Sequence, residues 1–187
     1  MRSTRWPHRR PRRRLAGAIV WLAVILVLTV IIGLFLPPPP ELTGRARAVD
    51  GDTIRLADDR IRLVGIDAVE LDQTCGADGA TWPCGREARD FLADLLSKGD
   101  ATCAIEGRDQ YRRLLARCHL GGRDVGEAVV RAGWAVTDLE YAAALVDARG
   151  RKSGIWAGPF VDPAQWRRDN RAGEGGIWEW LMSLLGH

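Results

Sequence analysis

Arg47-Ala48-Val49-Asp50-Gly51-Asp52-Thr53-Ile54-Arg55-Leu56 and, after Ala57-Asp58-Asp59, Arg60-Ile61-Arg62-Leu63-Val64-Gly65-Ile66 decide the fold of this chain. Both runs have β-forming composition, and the break between them carries turn-forming aspartates, which is the pattern of a β-hairpin. With Asp58 and Asp59 as the two turn residues, Leu56 faces Ile61, Ile54 faces Leu63 and Asp52 faces Gly65. Asp67 follows two residues past Gly65 on the same face, so this register predicts Asp52 and Asp67 as diagonal neighbours about 7–8 Å apart. The same register sets Arg55 opposite Arg62, which is unfavourable unless an anion or solvent lies between them.

Outward from the hairpin, residues 84–97 place Ala88, Phe91, Leu92, Leu95 and Leu96 on one helical stripe, with Gly99 as a stop signal. Ala101–Ile105 and Arg113–Leu120 read as strands. A second helix follows through Val125, Ala128, Val129 and Ala132 up to Gly133, and Leu139–Arg149 predicts a third with Tyr141, Ala144, Leu145 and Ala148 on one side. Strands with helices between and after them indicate an α+β domain, and about five short strands fit a small closed β-barrel better than an open sheet.

The N-terminus is of another kind. Residues 2–14 carry seven arginines and no acid, and Leu15–Leu36 then runs 22 residues without a charge. At about 1.5 Å per residue this run crosses a ~30 Å hydrocarbon layer. A signal peptide has a shorter apolar region, about 7–15 residues, ending in a small-x-small site. The nearest such triplet here, Ala46-Arg47-Ala48, abuts the hairpin. The expectation is an uncleaved single-pass transmembrane helix over 15–36, with the basic segment 1–14 cytoplasmic and everything after Pro37 periplasmic or extracellular. Residues 37–43, with four consecutive prolines, form a stiff linker; 44–170 form the domain; and 171–187 form a Gly-rich break with an apolar tail that packs on the domain or meets the membrane interface.

Cys75, Cys84, Cys103 and Cys118 all fall in the exported part. An even number in an oxidising compartment, with no C-x-x-C pair, favours two disulfides over zinc. Three pairings are possible; the strand-like runs around Cys103 and Cys118 favour joining those two, leaving Cys75 with Cys84. Charge narrows the partners: removing the seven arginines of 2–14 from the formal net of +3 leaves −4. A domain so balanced has no general attraction for nucleic acid, so a polyanion must be held by a local patch or a bound cation.

Asp50-Gly51-Asp52-Thr53 and Arg62 through Asp67 to Glu70 gather carboxylates and a guanidinium within twenty residues. A carboxylate pair suits Ca²⁺ or Mg²⁺, another carboxylate can take a proton from water, and an arginine fork matches a phosphate. Asp109-Gln110-Tyr111-Arg112-Arg113 forms a second cluster at the turn between the two later strands, where Arg108 is expected to face Arg113. Each feature alone is most often structural: a turn, a solvated loop, a surface charge.

Their joint order and spacing resemble the staphylococcal nuclease (thermonuclease) family, whose D-G-D-T, R-x-x-x-x-D-x-P-E and D-x-Y-G-R motifs recur as Asp50–Thr53, Arg62–Glu70 and Asp109–Arg113. The likeness runs on through Val129–Gly133 to Gly154-Ile155-Trp156, covering about residues 45–160, and Trp82–Gly85 with Trp166-Arg167 resembles the exported four-cysteine bacterial members. The resemblance implies a five-stranded OB-type barrel with about three helices. It implies Ca²⁺ held by Asp52, Asp67 and the Ala68 carbonyl, Glu70 as general base, and Arg62 and Arg113 neutralising the phosphorane. Tyr111 would contact substrate. The implied reaction is Ca²⁺-dependent hydrolysis of single-stranded DNA or RNA to 3′-phosphates; with the N-terminal apolar run, the expectation is a membrane-anchored monomer. A barrel that binds nucleic acid or another polyanion without cutting is the alternative, and a non-nucleic phosphodiester of the envelope is a third substrate class. The chain departs from the family pattern at Val69 for proline, Arg112 for glycine, Leu145 for an acid, and in lacking a tyrosine soon after Trp134.

Overall fold

The computed structural model describes residues 12–35, 37–77 and 79–170, and its internal contacts divide the chain after Pro38. The expected basic segment 1–14, apart from Arg12–Arg14, and the tail 171–187 lie outside the described residues. In the first unit, α1 spans Arg12–Phe35. Over Gly17–Phe35 it is apolar all round, with Ile19, Trp21, Leu34 and Phe35 exposed, and this stretch is long and apolar enough to cross a membrane.

The second unit carries β1 (Glu41–Gly44), β2 (Ala46–Ala48), β3 (Thr53–Leu56), β4 (Asp59–Leu63), β5 (Asp67–Ala68), α2 (Cys84–Leu96), β6 (Ala101–Arg108), β7 (Leu114–Leu120), β8 (Arg123–Asp124), α3 (Val125–Arg131), β9 (Ala135–Val136) and α4 (Ala142–Gly150). A 3₁₀ turn at Gly154–Ala157 follows, and residues 163–170 form a further helix, α5. The main sheet has the order β1-β6-β7-β4-β3-β2, with β8 added to β7. Only Arg45 separates β1 from β2, yet these strands stand at opposite ends of that order. One residue reaches at most ~3.6 Å, so the sheet has to curl back on itself. The result is the α+β, OB-type barrel expected, with β5 and β9 as a separate antiparallel pair.

The barrel is filled by the inward residues of the strands, Ile54, Leu56, Ile61, Leu63, Cys103 and Ala116, and closed by helices. From α2 come Leu92 and Leu96 and from α3 Val125 and Val129, each pair at the i, i+4 spacing read from sequence, with Val130 of α3 and Ala144 and Leu145 of α4 beside them. Burial of each leucine or valine stabilises by roughly 1.5–3 kcal/mol. Helix α3 starts where the Asp124 carboxylate accepts from the Glu127 N–H at 2.9 Å.

Two expectations about register are corrected. The hairpin turns at Ala57-Asp58, so Thr53 faces Arg62, Ile54 faces Ile61 and Arg55 faces Arg60. Ala57 adopts φ +50°, the positive value a two-residue hairpin turn needs at its first position, and the inward set of side chains is unchanged. The long first run also divides, because Asp50-Gly51-Asp52 is itself the turn between β2 and β3. Further on, a bulge between Ile105 and Gly107 shifts the β6–β7 pairing, so Arg108 faces Leu114 rather than Arg113.

Disulfides join Cys75 to Cys84 and Cys103 to Cys118, the latter pair directly opposite each other on β6 and β7. Cys103 and Cys118 are separated by 15 residues. Closing a loop of that length removes about 3 kcal/mol of chain entropy from the unfolded state. Replacing both by alanine is expected to lower unfolding free energy by about that amount, measured by urea titration under oxidising conditions.

Candidate active site

The turn Asp50-Gly51-Asp52 is shaped by its own aspartate: Asp50 Oδ1 accepts from the Asp52 N–H at 3.1 Å and the Thr53 N–H at 2.6 Å. Gly51 packs on β5, where a Cβ would stand 2.7 Å from that of Ala68. This close approach brings Asp52 beneath β5, so that Asp52 Oδ2 accepts from the Ala68 N–H at 3.3 Å and Oδ1 from the Thr53 hydroxyl at 3.0 Å. Asp52 is 4 % exposed.

Arg62, opposite Thr53 on β4, completes the arrangement. Its Nη1 lies 2.9 Å from Asp52 Oδ2 and its Nη2 donates to Asp67 Oδ1 at 2.8 Å. The two aspartates therefore meet through one guanidinium rather than as diagonal strand neighbours, because Asp67 has left β4 to pair with Val136 in the β5–β9 ladder. Burial opposes the charge of Arg62, but Asp52 and Asp67 outweigh it and hold the guanidinium protonated. Burial likewise pushes the Asp52 carboxyl up, to about 7, against the pull of Arg62.

Glu70 is held by a residue that sequence reading passed over. Gln73 is fully buried; its side-chain oxygen accepts from the Glu70 N–H at 3.1 Å, and its amide donates to the Val161 carbonyl at 2.7 Å. Its backbone returns both ways, donating to the Glu70 carbonyl at 2.9 Å and accepting from the Gly85 N–H at 3.1 Å. Gly85 must lack a side chain, since a Cβ there would sit 1.7 Å from the Glu70 carbonyl oxygen. Val69 is buried against Cys75, Cys84, Ala88 and Ile155, so packing and the Cys75–Cys84 bridge fix the turn where the family pattern has proline.

The Val161 contact delivers α5, and with it Arg167. Its Nη1 donates to Glu70 Oε1 at 2.7 Å and to Asp67 Oδ1 at 3.0 Å, while Nη2 donates to Asp67 Oδ2 at 2.7 Å. These bonds from Asp67, and then from Glu70, hold Arg167 protonated well above its ordinary range. The only sequence signal for this third arginine was the late Trp166-Arg167 pair.

Arg113 arrives from the β6–β7 turn. Asp109 organises that turn, accepting from the Tyr111 and Arg113 N–H groups at 2.9 Å each and from Arg113 Nε at 2.7 Å. Desolvation pulls Asp109 up, but the bonds from Arg113 and Tyr111 win and hold its carboxyl below the ordinary range. Arg112 takes φ +66°, the left-handed conformation glycine would accept freely. Tyr111 is 63 % exposed, with the Arg113 guanidinium 5.6 Å from its ring centre.

One open cleft of ≈ 870 Å³ is lined by Asp50, Asp52, Arg62, Ala68, Glu70, Tyr111, Arg113 and Arg167, with Arg55 and Arg60 at its side. Asp67 stands behind Arg62 and Arg167. Every residue singled out from sequence as a site candidate, apart from the cysteines, is thus at or directly behind this cleft. Trp82, at the start of the Trp82–Gly85 run, does not line the cleft; it packs edge-on against Trp134, 6.0 Å between ring centres. Among the described residues no group of three acids, histidines or cysteines is placed to hold a metal ion, because guanidiniums lie between the carboxylates. The donor set is nonetheless all oxygen, the chemistry of a hard cation.

Two outcomes follow from this geometry. In cation-free buffer the native state keeps the Asp52 proton up to about pH 7, whereas the unfolded chain releases it near its ordinary 3.8. Stability from this group therefore falls as pH rises through that window, by at most ~1.4 kcal/mol per pH unit, and the slope ends above it. Urea titrations across the window in EDTA check this, with Asp52→Asn expected to flatten the slope. Gly85→Ala is expected to cost about 2–3 kcal/mol in the same assay, because the backbone of Glu70 has to move.

Comparison with known proteins agrees with the geometry. The profile of the family described as Staphylococcal nuclease homologue matches residues 60–158, which leaves Asp52 and Arg167 outside the matched region. The succinoglycan biosynthesis protein ExoI of Rhizobium meliloti is 37 % identical over 123 residues, covering 62 % of this chain and 64 % of that protein. A probable endonuclease, LCL3, of Phaeosphaeria nodorum is 32 % identical over 122 residues, covering 54 % and 38 %. The staphylococcal-like nuclease CAN1 of Arabidopsis thaliana is 28 % identical over 121 residues, covering 61 % and 35 %. The chain thus spans less than two thirds of the length of each of these relatives. With more than half of its length matched by the family profile and the family's charged residues gathered around one cleft, the chain belongs to the staphylococcal nuclease homologue family.

Proposed function

We propose that this chain is a membrane-anchored, outward-facing nuclease that hydrolyses single-stranded DNA or RNA with Ca²⁺. The observation that carries the reading is the convergence of Glu70, Arg62 and Arg113 on one cleft. Glu70 takes the proton of a water as its oxygen attacks phosphorus; the bond to the 5′ oxygen breaks, and the phosphate stays on the 3′ side. Arg62 and Arg113 lie ready for the charge that grows on the phosphorane, which is where preorganised guanidiniums accelerate most. Tyr111 offers the cleft an exposed ring for a base.

Asp52, Asp67 and the Ala68 carbonyl would hold the cation. Once a cation displaces the Asp52 proton, Asp50, Asp52, Asp67 and Glu70 bring four negative charges against two from Arg62 and Arg167, and the two charges left over suit a dication. Ca²⁺ bound there would neutralise substrate phosphate. The anchor reading rests on α1, and the disulfides fit an oxidising compartment beyond it.

Binding without cutting is the second reading, and the guanidinium-paired carboxylates favour it. Full-length protein in mild detergent, given labelled single-stranded DNA, separates the two. The nuclease reading expects cleavage in Ca²⁺ that EDTA abolishes and that Glu70→Gln, Arg62→Gln or Arg113→Gln lowers at least ~10²-fold. Undiminished cleavage by Glu70→Gln overturns the base assignment, and binding with no cleavage in Ca²⁺ supports the second reading.

A further inference from the structure

Three arginines stand in a line that the reaction does not use. Arg47 on β2 is the direct partner of Arg55 on β3, and Arg55 is the direct partner of Arg60 on β4. All three are exposed and point away from the core, as the buried Ile54, Leu56 and Ile61 alternate with them. The row continues to the site: β4 pairs in parallel with β7 at Ile61 and Leu114, so Arg113 precedes Leu114 in step with Arg60 before Ile61. Four guanidiniums thus cross four adjacent strands, about 4.8 Å apart at the backbone, and end on the residue proposed to clamp the scissile phosphate.

Like charges directly opposite each other on a sheet destabilise it. Some arginines of this domain are matched with acids, as Arg117 is with Glu140 and Arg131 with Glu127 and Asp147, and others such as Arg123 and Arg168 stand singly among the described residues. The feature of Arg47, Arg55 and Arg60 is that unmatched guanidiniums are direct cross-strand partners. Among the described residues, Arg47, Arg55 and Arg60 make no ion pair and no side-chain hydrogen bond. Asp58 and Asp59 line the same cleft as Arg55 and Arg60, yet among the described residues neither makes an ion pair with them. An unmatched row of this kind on an otherwise acidic domain is a site for an anion that repeats along its length.

We infer that Arg47, Arg55 and Arg60 form a phosphate track, holding the backbone of a single-stranded polynucleotide on one side of the phosphate at Arg113. The inference rests on the nucleic-acid reading above and deepens it: the preferred substrate is a strand of several nucleotides, and its flanking phosphates supply affinity. Arginine suits this task because its fork bonds two phosphate oxygens. The track also resolves the charge balance, since a domain of net −4 beyond the N-terminal arginines still offers one local cationic line.

The test uses full-length protein in neutral detergent with EDTA, so that binding is read without turnover and failure of the catalytic reading leaves it intact. Arg47→Gln/Arg55→Gln/Arg60→Gln is compared with the parent and with Arg47→Lys/Arg55→Lys/Arg60→Lys, by fluorescence anisotropy of oligothymidylate of about 20 nucleotides. The seven N-terminal arginines are common to all three proteins, so only differences are read. The glutamine variant is expected to bind at least ~30-fold more weakly at low salt, with the slope of log affinity against log salt reduced by about 2, as three lost single-strand phosphate contacts require. The lysine variant is expected to keep most of that affinity, and the loss for a dinucleotide to be under about threefold. Unchanged oligothymidylate affinity in the glutamine variant overturns the track, as does an equal loss in the lysine variant. A loss confined to binding of phosphatidylglycerol vesicles overturns it too, by making the row a membrane contact. Where cleavage occurs but its dependence on strand length is the same in parent and glutamine variant, the track fails and the nuclease reading stands.

Discussion

One guanidinium, that of Arg62, holds Asp52 and Asp67 together, and the other groups of the cleft take their places around it. Two carboxylates this close repel each other unless a cation lies between them. Arg62 supplies that cation from β4, an interior strand of the sheet paired with β7 on one side and β3 on the other. Arg167 repeats the device one step outward, joining Asp67 to Glu70. The acids are therefore oriented before any ligand arrives, which is the condition under which charged groups act most strongly in a site.

The departures from the family motifs are absorbed in different ways. Where proline would stiffen the chain before Glu70, the buried Val69, the Gln73 bonds and the Cys75–Cys84 bridge restrain it instead. Where glycine would relax the chain before Arg113, Arg112 accepts the left-handed conformation, at a local cost of roughly 1–2 kcal/mol. Asp109, with three bonds into the same turn, offsets that cost. Tyr141, the first tyrosine after Trp134, lies outside the cleft and bonds to Asp124 and Arg117, so Tyr111 is the tyrosine that lines it.

The helices and inward strand positions were legible in the sequence because their signal is local: stripes at 3.6 residues and alternation at two. The site was legible only through the spacing of several motifs together, since Asp52, Glu70 and Arg113 are each ordinary in isolation. Register was misjudged where one residue of turn geometry decides it, at Ala57 and in the bulge after Ile105. The parts that escaped are long-range. Nothing near Gln73 in the sequence indicates Val161, 88 residues away, and nothing near Asp67 indicates Arg167, 100 residues away.

That last separation sets an order of assembly. A contact across 100 residues is rewarded only after the loop between its ends has closed, and here the loop contains β6 to β9 and three of the domain's helices. The clamp on Asp67 and Glu70 thus forms only once β6 to β9 and α2 to α4 are in place. A chain still folding would carry the barrel's early hairpin but not the finished cleft, so competence at the centre reports completion of the whole domain.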